Sequence, residues 1–535
     1  LTLGTALLDE TSYTITFSNL GDCAGNPASP TTGQFTFYIV KQYDVVINEI
    51  MCDPDPPVAL PNEEYLELHN TTPYPIQLDG WKITIGTTTR LLPPFILLPD
   101  TFVVLTTISS VPLYTSLNVL GVTSFQALTN TSASITIRTP QGLAVHSLTY
   151  DDGWYQNTAK AAGGWSLEMI DPQNPCAGMS NWRASVNPVG GTPGKRNSVL
   201  AANPDITAPQ LQRVTIVTAD TIRAWFSEPI DSTTLANITA YSIDNSMGQP
   251  ITAIPEGPTF TTVKLKLPGV ITAGITYTLT ANNALSDCAG NPMNTNSTAP
   301  FALPQPPAAN DVVINEILAD PLDGGTDYVE IYNRSSKVID LSKMTLCTQD
   351  TVNNILQEIN VIAPKGYLLF PGEYLLLSED GAAVKTQYTT TSPNAFLDMT
   401  NIPSMNIDGD IVVLTDTAFT IIDRLVYNSN WQFPLLQQTK GVSLERIDFD
   451  RTTQDATNWH SAAEQAGYGT PGYKNSQFNQ GTGDDNAVTV ADEVFSPDND
   501  GQDDVVNIAY QFAEPGYVAN VQIYDARGRL IRNLI

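Results

Sequence analysis

The chain repeats itself, and the repeats limit what it can fold into more than any other feature. Asp22-Cys23-Ala24-Gly25-Asn26-Pro27 returns as Asp287-Cys288-Ala289-Gly290-Asn291-Pro292. A strand-like start follows each copy, Asp44-Val45-Val46-Ile47-Asn48-Glu49-Ile50 first and Asp311-Val312-Val313-Ile314-Asn315-Glu316-Ile317 later. Two module types therefore alternate in tandem. An array of this kind is expected to space or display something rather than to catalyse.

Composition agrees with an all-β array. A length of 535 residues corresponds to about three to five domains. The hydrophobic fraction of 42% gives each module a core, and the charged fraction is only 15%, against ~25% in an average protein. Thr, Asn, Ser, Gly and Pro supply the polarity, which suits strands joined by hydrogen-bonding turns. Acidic residues number 55 and basic ones 25, for a net charge of −30. That surface repels phosphate backbones, so nucleic acid and anionic membranes are poor partners. Divalent cations fit better, because hard ions take carboxylate and carbonyl oxygens. The plainer reading is that the surplus acid keeps the protein soluble.

Five cysteines are few for this length. Cys52 and Cys176 both fall in the first large module, and the second large module has no cysteine at either place. Joint presence and joint absence predict a Cys52–Cys176 disulfide, leaving Cys23, Cys288 and Cys347 without an obvious partner. No Cys-x-x-Cys or Cys/His cluster points to zinc. The chain opens at Leu1 without a signal-like segment and closes at Ile535 in a strand-like run. Both ends read as cut from a longer protein, so the missing leader says nothing of location. No run of ~18 apolar residues marks a membrane span.

Five segments follow. Residues 1–40 read as the end of a β domain, with Tyr13-Thr14-Ile15-Thr16-Phe17 alternating. Residues 42–198 form the first large module, and Tyr65-Leu66-Glu67-Leu68-His69-Asn70 and Phe102-Val103-Val104-Leu105 are strands in it. Residues 205–304 are a complete small β sandwich of the first type. Residues 309–477 repeat the large plan, with Tyr328-Val329-Glu330-Ile331-Tyr332-Asn333 in the place of the run from Tyr65. Gly191-Thr192-Pro193-Gly194-Lys195-Arg196-Asn197 and Gly469-Thr470-Pro471-Gly472-Tyr473-Lys474-Asn475 end the two large modules, where Pro and Gly fix a turn. Residues 478–490 are a polar linker, and residues 491–535 begin a further β domain. No segment keeps the 3.6-residue period of a long helix.

At these residues the large modules resemble bacterial lamin-tail domains. The resemblance rests on Val46-Ile47-Asn48-Glu49-Ile50, Glu64-Tyr65-Leu66-Glu67-Leu68-His69-Asn70, Leu78-Asp79-Gly80-Trp81, Trp165-Ser166-Leu167-Glu168 and Asn181-Trp182. The second copy keeps Val442-Ser443-Leu444-Glu445 and Asn458-Trp459, and Met344 stands where the first has Trp81. The modules holding Cys23 and Cys288 resemble bacterial immunoglobulin-like domains of surface and S-layer-associated proteins, on Phe226-Ser227-Glu228-Pro229-Ile230-Asp231 and the Asp-Cys-Ala-Gly-Asn turn. The segment from Phe495 resembles the start of a C-terminal immunoglobulin-like domain of secreted Bacteroidota proteins. The resemblances imply an all-β tandem array of immunoglobulin-like sandwiches in an exported, envelope-associated or secreted protein. They imply no reaction.

Candidate chemistry is sparse. Asp498, Asp500 and Asp504 crowd oxygens around Gly501, as a calcium loop in a β domain would, or as a solvated Asp/Gly turn would. Glu49 and Glu67 recur as Glu316 and Glu330. Without recurrent histidines they read as structural acids bonded to turn amides, with a shared metal site or an acid pair as sharper alternatives. His69, His146 and His460 do not recur, so no Ser-His-Asp arrangement follows. Trp182 and Trp459 do recur and read as core anchors. Trp154 and Trp431 lie in less regular segments and are the candidates for exposed contact.

The combined reading is a non-catalytic scaffold or stalk, with calcium as its one expected cofactor. Other envelope or extracellular proteins, or polysaccharide, are its expected partners. The alternatives are an adhesin-like binding module and an accessory region of a secreted hydrolase.

Overall fold

Strand follows strand because β-branched and aromatic residues alternate between Gly, Pro, Asn and Asp turns. The computed structural model describes residues 5–18, 21–24, 26, 29, 31–350, 353–433, 436, 438–478, 488–490, 508–510, 521–524 and 530–534. Asp498, Asp500 and Asp504 lie outside the described residues. Among the described residues the α-helices are Ser232–Leu235 and Gly381–Gln387, and no helix is long and apolar enough to cross a membrane.

The chain divides into two units, Leu1–Ile271 with Tyr277–Phe301, and Thr272–Thr276 with Ala302–Ile535. The first unit opens with the antiparallel hairpin Thr11–Phe17 and Thr31–Phe37. Its large module is a two-sheet sandwich. One sheet orders its strands Val119–Val122, Phe102–Thr107, Tyr65–Asn70, Val45–Met51, Leu167–Met169 and Trp182–Ala184. The facing sheet runs Ala144–Asp151, Ser132–Arg138, Lys82–Ile85 and Thr88–Leu91. Ile47, Ile50, Leu66, Leu68, Trp81, Ile135 and Trp182 fill the space between them.

The smaller sandwich of this unit pairs Leu211–Thr218, Thr221–Phe226, Thr262–Lys266 and Thr252–Pro255 in one sheet, and Tyr241–Ile243, Tyr277–Ala281 and Ser297–Phe301 in the other. The second unit repeats the large sandwich. Its larger sheet runs Phe396–Asp398, Tyr374–Ser378, Tyr328–Asn333, Val312–Leu318, Leu444–Arg446 and Trp459–Ser461. Its smaller sheet runs Leu356–Val361, Met344–Gln349, Gly409–Asp416 and Ile421–Asn428. Met344 is buried where the first copy buries Trp81, so apolar bulk is kept.

Two expectations need correction. The disulfide joins Cys176 to Cys288, not to Cys52. Cys52 follows the core strand Val45–Met51, is fully buried, and has the Tyr155 hydroxyl 3.3 Å from its sulfur. Cys176 sits in the loop before Trp182, and that loop meets the Asp287-Cys288 turn of the small sandwich. The bridge therefore crosses from one module to the next. Trp154 is not an exposed contact residue either: it is 5% exposed, with its ring 5.8 Å from that of Trp182. Trp431 is half-buried and packs on the core of the second copy.

Candidate functional site: a ladder of buried carboxylates

Asn48 is the extra residue of a β-bulge between Val45–Met51 and Tyr65–Asn70. A bulge reverses which face the following residues take. Ile47 and Ile50 thus both face the core, and Glu49 turns to the opposite face. There Glu49 lies directly across from Glu67 on one side and from Glu168 on the other. Three carboxylates line up across three neighbouring strands, and all three are fully buried. Asn315 makes the same bulge in the second copy, where Glu330, Glu316 and Glu445 form the same row.

The closing segment of each module lies over this row and supplies its donors. The Thr192 backbone N–H donates to Glu49 Oε1 at 2.7 Å, joined by the Tyr65 hydroxyl at 2.7 Å and the Ser166 hydroxyl at 2.6 Å. The Gly194 N–H donates to Glu67 Oε2, and Asn48 Nδ2 donates to Glu67 Oε1 at 2.8 Å. Glu168 Oε2 accepts from the Ser198 hydroxyl at 2.7 Å and the Val199 N–H at 3.1 Å. Asn197 closes the set: its amide donates to the carbonyls of Asn48 and Met169. The second copy repeats these bonds except that of Ser166, since the Ser443 hydroxyl donates to the Tyr468 carbonyl at 3.3 Å. Thr470 N–H and Tyr328 hydroxyl serve Glu316, Gly472 N–H and Asn315 serve Glu330, Ser476 and Gln477 serve Glu445, and Asn475 closes the set.

Burial raises the carboxyls of two members of each row. Burial, then the charge of Glu168, pushes Glu49 up to about 7. Burial, then Glu49, pushes Glu67 well above the usual carboxylate range. In the second copy burial, then Glu316, carries Glu330 well above that range and Glu445 to about 8. The threonine hydroxyl fits this state. Thr192 Oγ1 lies 3.3 Å from Glu49 Oε2 and 2.9 Å from Glu168 Oε1, yet it has one proton to give. The Thr192 hydroxyl thus bridges the two carboxylates, donating to one oxygen at a time.

The pairing with the fifth strand stops at Glu49 and at Glu316, and the backbone N–H of the residue before each bulge meets a side chain that differs between the copies. Ile47 N–H donates to His146 Nδ1 at 2.8 Å, and burial pulls that imidazole down to about 4. Ile314 N–H donates to Asp423 Oδ2 at 2.8 Å, and buried Arg446 stands 3.5 Å from the same carboxylate. A neutral acceptor in one copy is thus a compensated charge in the other. His69 contacts Asp100 at 3.1 Å, and His460 lies on Trp459–Ser461 with Nδ1 2.8 Å from its neighbour's carbonyl. The three histidines meet no common partner.

The ladder brings Glu49, Glu67, Glu316 and Glu330 together as pairs. The sequence reading missed Glu168 and Glu445, the paired asparagines, and the threonine of the closing segment. Their signal was recurrence in both copies. Trp182 and Trp459 each open the last strand of their larger sheet and are 1% and 3% exposed. A second acidic group sits apart from the ladder. Asp205, Glu228 and Asp287 each place an oxygen within 4.8 Å of the others, and burial, with Asp205 and Asp287, pushes Glu228 up to about 7.

Residues 41–152 and 305–429 match the family model of the Lamin Tail Domain, and residues 202–302 match that of the Bacterial Ig-like domain. The chain carries two lamin tail domains with a bacterial Ig-like domain between them. Both are non-catalytic structural modules typical of large secreted or surface multidomain proteins. The matched parts of the lamin tail domains stop before Glu168 and Glu445, so the closing half of each ladder lies outside them. No curated protein matches the chain. Among solved structures, the N-terminal part of the bacterial S-layer protein SbsC is 15% identical over 42% of this chain and 44% of that one, with a TM-score of 0.17. A DUF4876 family protein from Bacteroides thetaiotaomicron VPI-5482 is 13% identical over 44% of this chain and 94% of that one, with a TM-score of 0.21. The chain thus spans less than half of the S-layer structure it matches.

Proposed function

We propose that this chain is a structural, load-bearing region of an exported multidomain protein, spacing and holding neighbouring parts outside the cell. The ladder carries the reading. In both lamin tail domains each of the three carboxylates has both oxygens engaged by groups of its own domain. A carboxylate so occupied is a latch that ties the last segment to the first strands. A general acid or base needs an oxygen free to meet substrate. The Cys176–Cys288 bridge supports an oxidising location, where disulfides persist. Other envelope or extracellular proteins, or polysaccharide, are the partners that fit such a scaffold.

The test is a turnover screen of the purified chain against phosphomonoester, phosphodiester and glycoside substrates, beside Glu67→Gln and Glu330→Gln. No turnover above blank is expected. Reproducible turnover that disappears in either variant would show the ladder to be an active site.

A further inference from the structure

The second acidic group lies at the seam between the first lamin tail domain and the Ig-like domain. Asp205 comes from the joining segment, Glu228 from the turn after Thr221–Phe226, and Asp287 stands beside the bridged Cys288. Their oxygens lie within 4.8 Å of one another. Ligand oxygens sit about 2.3–2.6 Å from a calcium ion, so two on one shell are at most about twice that apart. The spacing suits a single ion. The ion pairs of the Ig-like domain join Arg223 and Lys264 to Glu256 and Lys266 to Asp220, and none of those cations pairs with the three acids. Asp287 is fixed in place by the Asn291 N–H at 2.8 Å and Asn291 Nδ2 at 2.8 Å. Asp205 accepts from the Thr207 N–H at 2.8 Å.

A different group points to the same ligand. Asn174, on the lamin-tail loop, is 3% exposed, and its Oδ1 has no hydrogen-bond donor. It lines the same groove as Asp205 and Glu228. A buried amide oxygen without a partner is costly and calls for an explanation. A hard cation drawn to three carboxylates supplies the missing partner. The donor set is all oxygen, since Cys176 and Cys288 are spent in their bridge, and that selects calcium or magnesium over zinc. Irregular loops with an amide oxygen favour calcium, because magnesium demands a near-ideal octahedron and keeps its waters. Counting from Leu167 and Leu444, the second lamin tail domain has Arg451 in the place of Asn174 and Thr453 in the place of Cys176. The oxygen and the bridge are therefore absent together from the second copy.

We propose that Asp205, Glu228, Asp287 and the Asn174 amide oxygen form a calcium site that clamps the first lamin tail domain to the Ig-like domain beside their disulfide. The site is separate from Asp498–Asp504, and it does not depend on the chain's bearing load.

Calcium titration by calorimetry on the whole 535-residue chain, stripped with chelator, tests it. The variants are Glu228→Gln, Asp205→Asn and, as the control for the other acidic run, Asp500→Asn. A site with a dissociation constant of about 10⁻⁴–10⁻³ M is expected, in the range of extracellular calcium modules. Glu228→Gln and Asp205→Asn should each weaken it at least about tenfold, while Asp500→Asn leaves it in place. Both seam variants should melt like the parent without calcium, which separates lost binding from lost folding. Unchanged calcium affinity in both seam variants, or loss of all binding in Asp500→Asn alone, would overturn the site. Magnesium binding as tight as calcium would overturn the choice of ion.

Discussion

Like charges directly opposite one another in a sheet repel, yet Glu67, Glu49 and Glu168 stand in a row out of water. They persist because each is bonded, and because burial raises the carboxyls of Glu49 and Glu67 and so favours their uncharged form. Glu67→Gln keeps the shape but sets an amide N–H₂ against either the Gly194 N–H or the Asn48 amide. A buried donor then loses its acceptor, at about 1–3 kcal/mol, which denaturant unfolding of the chain would measure. Glu49 gives a pH signature. Its folded value is raised to about 7 from the ordinary 4.5, so between those limits the folded state binds more protons than the unfolded one. Stability from this group is complete below the ordinary value and is lost as pH rises through about 7. His146, pulled down to about 4, acts in the opposite sense on the acid side. The two effects partly cancel between pH 5.5 and pH 8, so the test is comparative: over that interval the parent should lose about 2 kcal/mol of stability relative to Glu49→Gln, read as the difference between their melting midpoints. An unchanged slope in the variant would remove Glu49 from the effect. Recurrence made Glu49 and Glu67 visible in the sequence. Their partners were not visible, because Thr192 lies 143 residues beyond Glu49 and spacing carries no trace of such a bond.

At the scale of the element, the closing Gly-Thr-Pro-Gly segment does more than make a turn. It covers part of the outer face of the large sheet, beside a second apolar cluster of Met51, Tyr65, Val104 and Tyr114, and all of Val45–Met51 and Tyr65–Asn70 are buried. Alternation in Tyr65–Asn70 was legible as a strand, but not that its second face is also covered. Gly191 shows how close the segment comes. A Cβ there would stand 2.6 Å from Glu49 Oε1 and 2.7 Å from the Tyr65 hydroxyl. Gly191→Ala must push the segment off the ladder, so a loss of about 2–4 kcal/mol is expected. Gly191 has no positive φ, so its loss reports the close approach and not backbone strain; Gly33→Ala, with open space around its Cβ and no positive φ, serves as the control and should cost little. Equal small losses in the two would mean that the approach to the ladder is unimportant.

For the whole molecule, the order of modules and their β class were legible because the chain prints each plan twice. The cysteine pairing was not. Both lamin-tail cysteines vanish together from the second copy, and that correlation hid the real partner, which belongs to the next module. Cys176–Cys288 encloses a separation of 112 residues. Stretching the chain end to end loads the bridge and bypasses most of the Ig-like domain. Extended chain spans roughly 3.3–3.6 Å per residue, so reduction should release about 370–400 Å of hidden length. Pulling single molecules with and without reductant measures this directly. The load-bearing reading requires separate force peaks for the two lamin tail domains in both conditions, with the added length and an extra peak appearing only after reduction. Featureless extension, or the same total length with and without reductant, would contradict it.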